Sequence, residues 1–241
     1  MGKVIVVLLE VAIELVPPQI LNHPQVLRSA RRLGVRPDDL LLDAGLHWKA
    51  MRSLPNYWRR GRPDIAHLSL LNLLEKAPVS RGVAEVYMHL QDGRVFAFSP
   101  QVRLPKNYDR FKGLMSQLLR LGRVPPEGEP LIWEVPGGLR GLIGGRGLML
   151  LSEDGEEDMR PQDLVREAYE KGLAVGFGAF PRGPFREETE RLAVRRVRLM
   201  GGEPLKAWDV ACALSSALYE LMEGLRGPRT GNPSSSLGSG H

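Results

Sequence analysis

Two rhythms of apolar and polar residues run along this chain. Val4 to Leu9 is an unbroken apolar run rich in β-branched residues, the pattern of a central strand buried on both faces. Leu40 to Leu42, just before Asp43, predicts a second short strand. Pro63 stands where a first helical turn tolerates proline, and Leu70, Leu71, Leu73 and Leu74 follow at helical spacing, with an end expected near Ala77 and Pro78. Residues 84–100 read as a hairpin, two strand-like runs around a two-residue Asp92-Gly93 turn. Phe111, Leu114, Met115, Leu118 and Leu119 repeat at i, i+3, i+4, i+7 and i+8, so they predict an amphipathic helix stopped by Gly122. The proline- and glycine-rich residues 122–130 read as the connection between two halves.

The second half alternates the two rhythms. Strands are predicted in LIWEV, GLMLL, GLAVGF and RRVRLM, and helices in PQDLVREAYEKG, REETERLA and the long LKAWDVACALSSALYELMEGL. GLIGGRG (141–147) reads as a loop. Strand–helix alternation implies an α/β fold with a mainly parallel sheet, to which the first half adds an inserted hairpin-and-helix region. One domain is expected over 1–225, divided into 1–121 and 130–225. Residues 226–241, rich in Gly, Ser and Pro, are expected to be a disordered tail.

Composition narrows the function classes. At 241 residues with 43% apolar and 25% charged positions, the chain can bury a large core. A single cysteine, Cys212, excludes an intrachain disulfide framework; its alanine neighbours in a helical pattern predict a small core residue. The first apolar run is too short and, with Glu10 and Glu14, too charged to span a membrane, so a cytoplasmic protein is expected. His23, His47, His67 and His89 lack metal-ligand spacing, and no metal is expected. Net charge is +5, and only seven of the 33 basic side chains are lysines. Arginine grips phosphate bidentately and stacks on bases. A GC-rich genome would enrich it as well.

Two stretches carry candidate chemistry. GFGAFPRG (176–183) and MGGEPLKAW (200–208) each follow a strand and precede a helix, the place where open α/β sheets bind ligands and where glycine permits close backbone approach. Ordinary strand–helix turns have the same form. The other stretch is a basic constellation, Arg60 and Arg62 in RRGRPD with Arg103, Lys106 and Arg110 in VRLPKNYDRF. Cations near a helix start oppose the helix dipole, so local stability does not call for them, and they make a ready phosphate site. A solvated face, or pairing of Arg110 with Asp109 or Asp64, is the alternative. Asp64 is suited to orienting Arg62, to favouring the first helical turn, or to accepting a proton. The acidic run from Glu153 to Asp158 reads as a solvated loop.

Taken together, VVLLEVAIELVP (6–17), LLLDAGLHWKAM (40–51), RRGRPDIAH (59–67), VRLPKNYDRFKGLMSQLL (102–119), GFGAFPRG and EPLKAW (203–208) give the chain a family likeness. It resembles the small-subunit rRNA pseudouridine-N1-specific methyltransferases of the SPOUT superfamily, in their archaeal branch. The resemblance implies a carboxyl-terminal trefoil knot, a homodimer, and methyl transfer from S-adenosylmethionine to N1 of a pseudouridine in small-subunit rRNA. It carries the cofactor contacts onto Leu151, Gly178, Gly183, Met200, Gly201, Gly202, Glu203, Pro204 and Leu205. It carries the rRNA contacts onto Arg62, Arg103, Lys106 and Arg110, with Asp64 either steadying Arg62 or taking the N1 proton. Lys106 stands where the family has arginine, which keeps the charge and loses the fork. Two alternatives use the same residues, a non-catalytic rRNA-binding assembly factor and a SPOUT methyltransferase for another RNA base.

Overall fold

The long apolar run near the amino end becomes the middle of the sheet. The structure, a computed structural model, describes residues 2–226. Its first half contains β1 (Val4–Val11), α1 (Pro24–Leu33), α2 (Ala44–Met51), α3 (Pro63–Leu74), α4 (Ala77–Ser80), β2 (Ala84–Leu90), β3 (Val95–Phe98) and α5 (Tyr108–Leu121). Next come β4 (Arg123–Val124), β5 (Ile132–Val135), α6 (Gly138–Ile143), β6 (Leu148–Leu151), β7 (Glu157–Met159) and α7 (Pro161–Lys171). The chain closes with β8 (Ala174–Gly178), α8 (Glu187–Glu190), β9 (Ala193–Leu199) and α9 (Ala207–Leu225).

The nine strands form one sheet in the order β4-β5-β3-β2-β1-β8-β6-β9-β7. Pairing is parallel from β2 through β7 and antiparallel from β2 through β3 and β5 to β4. Helices cover both faces, so β1 is buried along its whole length. Val4, Val6 and Leu8 enter the larger core beneath α3, α5, α7 and α9. Ile5, Val7 and Leu9 enter the smaller one beneath α6. A third cluster, from Val16 to Leu54, holds α1 and α2.

Several expectations change. Leu40–Leu42 is not a strand: only Leu41 bridges, to Leu15. The run is squeezed between a 3-10 turn at Pro37–Asp39 and the Asp43 cap of α2, and its side chains alternate between two cores. The hairpin turn has three residues, because His89 faces Val95 and Leu90 bonds Arg94. Gly93, at φ +91°, takes the left-handed position of that turn. Residues 122–130 include the short strand β4, which pairs with β5, and β5 pairs with β3. Part of GLIGGRG is the end of α6, not loop. α3 stops at Leu74, and the REETERLA helix shrinks to the four residues of α8. The acidic side chains of the 153–158 run are exposed, as expected, but its end, Glu157 and Asp158, belongs to edge strand β7, and Glu157 pairs with Arg195 and Asp154 with Arg196. Cys212 is exposed on α9, one helical turn before exposed Ser216. The tail beyond Arg226 lies outside the described residues.

One glycine is needed by the packing of β9. A Cβ on Gly155 would stand 2.4 Å from the carbonyl carbon of Val197 and 2.5 Å from the nitrogen of Arg198, both backbone atoms. Gly155→Ala must therefore push the 152–155 turn off the strand and is expected to cost about 1–3 kcal/mol. Gly145→Ala, with nothing within 4 Å of its Cβ, is the control. Equal urea midpoints for the two variants would refute the packing argument.

Two buried histidines give the fold a pH dependence. Burial, the largest cause, lowers the pKa of both His47 and His89 from 6.5, although Asp43 and Glu10 respectively act in the opposite direction. Below 6.5 the unfolded chain then binds more protons than the folded one. Their stabilisation is whole above 6.5 and is lost as pH falls through the lowered folded values. Urea titrations at pH 7.5 and 5.5 should show wild-type stability falling, and falling less in His89→Gln.

Candidate active site

β8, β6 and β9 lie side by side and parallel, so the loops leaving their carboxyl ends meet. Between those loops is a cavity of about 650 Å³. Its floor is Leu151 at the end of β6, Phe177 and Gly178 at the end of β8 and Leu199 at the end of β9. The start of α9 (Ala207, Trp208, Val210) and the start of α3 (Arg62, Ile65) complete the wall. Ligands in open α/β sheets bind at this end of the strands.

Of the residues assigned from sequence to cofactor and RNA, Leu151, Gly178, Gly183, Glu203, Pro204, Leu205 and Arg62 line this one cavity. Met200, Gly201 and Gly202, the first two exposed, do not line it. Their φ values of +53°, +71° and +81° make three consecutive left-handed residues that swing the chain from β9 back toward the cavity. Sequence reasoning missed Phe180, Phe185, Arg182, Arg196, Glu190 and Trp208, while Glu153 and Asp154, exposed as expected, also border the cavity. The aromatic residues inside GFGAFPRG were the available signal. Arg196 was hidden in a run read only as a strand. Asp154 is gripped by the Ser152 hydroxyl and, at 2.7 Å, by Arg196; these bonds, Ser152 first, hold its carboxyl below the usual range.

RRGRPD is positioned by β1 and the strand-like segment after it. The Arg62 N–H donates to the Ala12 carbonyl, and Gly61, at φ +63°, leaves room for Met51 and Leu42 where a Cβ would meet them at 3.0–3.1 Å. The expectation that this segment turns its charge outward is corrected for two of its three arginines. Arg59 is paired with buried Glu10, and Arg60 is clasped by both oxygens of Glu14. Half-buried arginines need such partners. Arg62 alone of the three lines the cavity. Its Nε and Nη2 donate to the two oxygens of Asp64 at 2.8 and 2.7 Å. Both carboxylate oxygens are therefore engaged in fixing the guanidinium.

Arg103, Lys106 and Arg110 do not line the cavity. Buried Val102 and Leu104 pin the 102–107 segment, and exposed Arg103 and Lys106 alternate with them. His67 Nε2 lies 2.8 Å from the Pro105 carbonyl, and Asn107 caps α5 by accepting from the Arg110 N–H. Lys106 reaches Glu75 only at 3.8 Å, and among the described residues Arg110 has no ion-pair partner, Asp64 and Asp109 included. Tyr108 links this edge to α3. Its ring stacks on His67, and burial, then Asp43 and Asp64, push its hydroxyl pKa up. The start of α5 is thus held against α3, whose N-cap residue, Arg62, lines the cavity.

Among the described residues, no group of three or more His, Cys, Asp or Glu is arranged to hold a metal ion. Nor is any described helix long and apolar enough to cross a membrane.

Most of the chain has clear relatives. Residues 6–219 match the family model described as EMG1/NEP1 methyltransferase. The chain is 44% identical over 217 residues to the ribosomal RNA small subunit methyltransferase Nep1 of Aeropyrum pernix, covering 90% of this chain and 97% of that one. To the protein of the same name from Saccharolobus solfataricus it is 39% identical over 218 residues, again covering 90% and 97%. The crystal structure of Archaeoglobus fulgidus Nep1 bound to S-adenosylhomocysteine matches with a TM-score of 0.81 at 35% identity, over 92% of this chain and all of that one.

Proposed function

Because the chain belongs to the EMG1/NEP1 methyltransferase family, we propose that it is a small-subunit rRNA methyltransferase whose methyl donor is S-adenosylmethionine. The acceptor is N1 of a pseudouridine. The reading rests on Arg62, which lines the same cavity as Leu151, Gly178, Gly183 and Leu205. One cation then faces both the donor and the RNA.

The residues present fit the donor. A cavity of about 650 Å³ is in the range of small-molecule sites, roughly 300–1,000 Å³. Leu151, Leu199, Leu205 and Trp208 offer apolar wall to a purine, and Glu153, Asp154 and Glu203 offer acceptors to hydroxyl and ammonium groups. When bound, S-adenosylmethionine supplies a methyl group already activated on a positive sulfur.

Pseudouridine is linked to ribose through carbon, so its N1 carries a proton. Transfer forms the N1–methyl bond and breaks the sulfur–methyl bond, whose electron pair returns to sulfur. The N1 proton leaves to water, and S-adenosylhomocysteine remains. The enzyme's contribution is alignment together with stabilisation of negative charge growing on the base. Arg62 supplies that stabilisation, and Asp64 holds its fork in place. Arg103, Lys106 and Arg110 clamp flanking phosphates while the base is turned out of its stack. The homodimer and the carboxyl-terminal trefoil knot belong to the same reading; sedimentation would test the first, and an experimental chain trace the second.

Labelled S-adenosylmethionine with a small-subunit rRNA hairpin, made once with pseudouridine and once with uridine, tests the chemistry. Label in the pseudouridine hairpin alone is expected. Label in both, or in uridine alone, would reassign the base. Tight binding without label in either would favour an assembly factor.

A further inference from the structure

Glu10 is fully buried, with no exposed surface, and it sits at φ +51°, a conformation uncommon for a residue that is not glycine. The β1–β2 register breaks between Leu8 and Val11 to accommodate it. A buried carboxylate needs partners, and strain of this kind gathers at functional sites. The partners of Glu10 lead to one place. One oxygen accepts from the backbone N–H of Arg186 at 2.8 Å, and the other pairs with Arg59.

Arg59 carries the contact onward. Its guanidinium also donates to the Pro184 carbonyl and lies over the Phe180 ring, 3.9 Å from the centroid. Phe180 meets Phe185 edge-on at 5.3 Å, and both rings line the cavity. Gly183 is the close neighbour of the arginine, since a Cβ there would stand 3.2 Å from its Nη1. Gln91, in the β2–β3 turn, locks the outside: its amide donates to the Arg59 carbonyl at 2.8 Å, and its own carbonyl accepts from the Arg186 guanidinium. The 180–186 loop is thus held from several directions by groups that themselves stand outside the cavity.

Stability alone gives little reason for this arrangement, because well-packed apolar residues commonly match or exceed a buried ion pair. We propose that the Glu10–Arg59 pair is a positioning device that holds the 180–186 loop in the shape that receives the methyl donor. Neither residue lines the cavity, and both set its affinity. This rests on the cavity being the donor site.

Glu10→Gln, Arg59→Lys and the double variant Glu10→Gln/Arg59→Gln test it. Calorimetry with S-adenosylhomocysteine gives affinity, thermal melting reports folding, and steady-state rates separate KM from kcat. Arg59→Lys keeps the charge but has no plane to lay over Phe180. The double variant removes both buried charges, so it should melt no lower than Glu10→Gln alone. For all three, donor Kd and KM should rise about tenfold or more, with kcat at saturating donor within about threefold and hairpin affinity unchanged. If Arg59→Lys or the double variant folds like wild type and binds S-adenosylhomocysteine within twofold, the pair does not set donor affinity and the proposal fails. Wild type that does not bind S-adenosylhomocysteine would instead remove the donor-site reading, and this inference with it.

Discussion

Arg62→Ala will lower methyl transfer to the pseudouridine hairpin by about 100-fold or more, the usual cost of removing a fixed donor from a developing negative charge. Arg62 is at the amino end of α3, on the cavity wall, with its fork already set by Asp64. Its backbone is held by Ala12 and its side chain is part-exposed, so the fold has little need of the guanidinium. Binding of S-adenosylhomocysteine should change only a few-fold and the melting temperature little. Asp64→Asn separates the two roles of that residue. The arrangement is that of an anchor, so weaker hairpin binding with part of the turnover retained is expected. Full RNA affinity with turnover lost would make Asp64 the proton acceptor. Turnover of Arg62→Ala within fivefold of wild type would sink the role given to Arg62.

Lys112→Met should destabilise the protein by about 3–5 kcal/mol, the cost of leaving a buried charge without its partner. Lys112 and Asp43 side chains are each 10% exposed and meet at 2.9 Å. The same carboxylate caps α2 through the Gly45 N–H and accepts from the Tyr108 hydroxyl. One buried acid therefore ties α2 to the start of α5. Lys112 also reaches Asp109 at 3.1 Å, on the turn that carries Arg110. Methionine fills the volume and offers Asp43 no charge. Adding Asp43→Asn should recover part of the loss, because the two changes act on one interaction. Urea unfolding of the single and double variants measures this, and a single-variant loss under about 1 kcal/mol would contradict it. Tyr108 and Arg110 lie on the same turn, so hairpin affinity should weaken with stability.

What could be read from sequence depended on how many residues shared a signal. β1 and α5 were legible because five or six apolar side chains share one pattern in each, and Gly122 ends α5 in the left-handed conformation expected of it. The cavity residues were legible as a group through family likeness, since the glycines and the EPL turn recur in order. Short elements were not legible. Leu40–Leu42 has a strand composition without a strand's length, and β7 was concealed by its acids, of which Glu157 is met by Arg195 on the neighbouring strand.

By itself the sequence determined the class of fold, the long elements, the family and the motif residues, because local period and ordered motifs are properties of neighbours along the chain. Only the tertiary structure decided which arginine of RRGRPD faces the cavity. Arg59, Arg60 and Arg62 are equivalent as letters. They differ because Glu10 and Glu14 project from β1 and its continuation toward the first two, while Asp64 turns the third to the cavity. Charge pairing is a distance in space, and about fifty residues of chain separate the first two arginines from the acids that neutralise them.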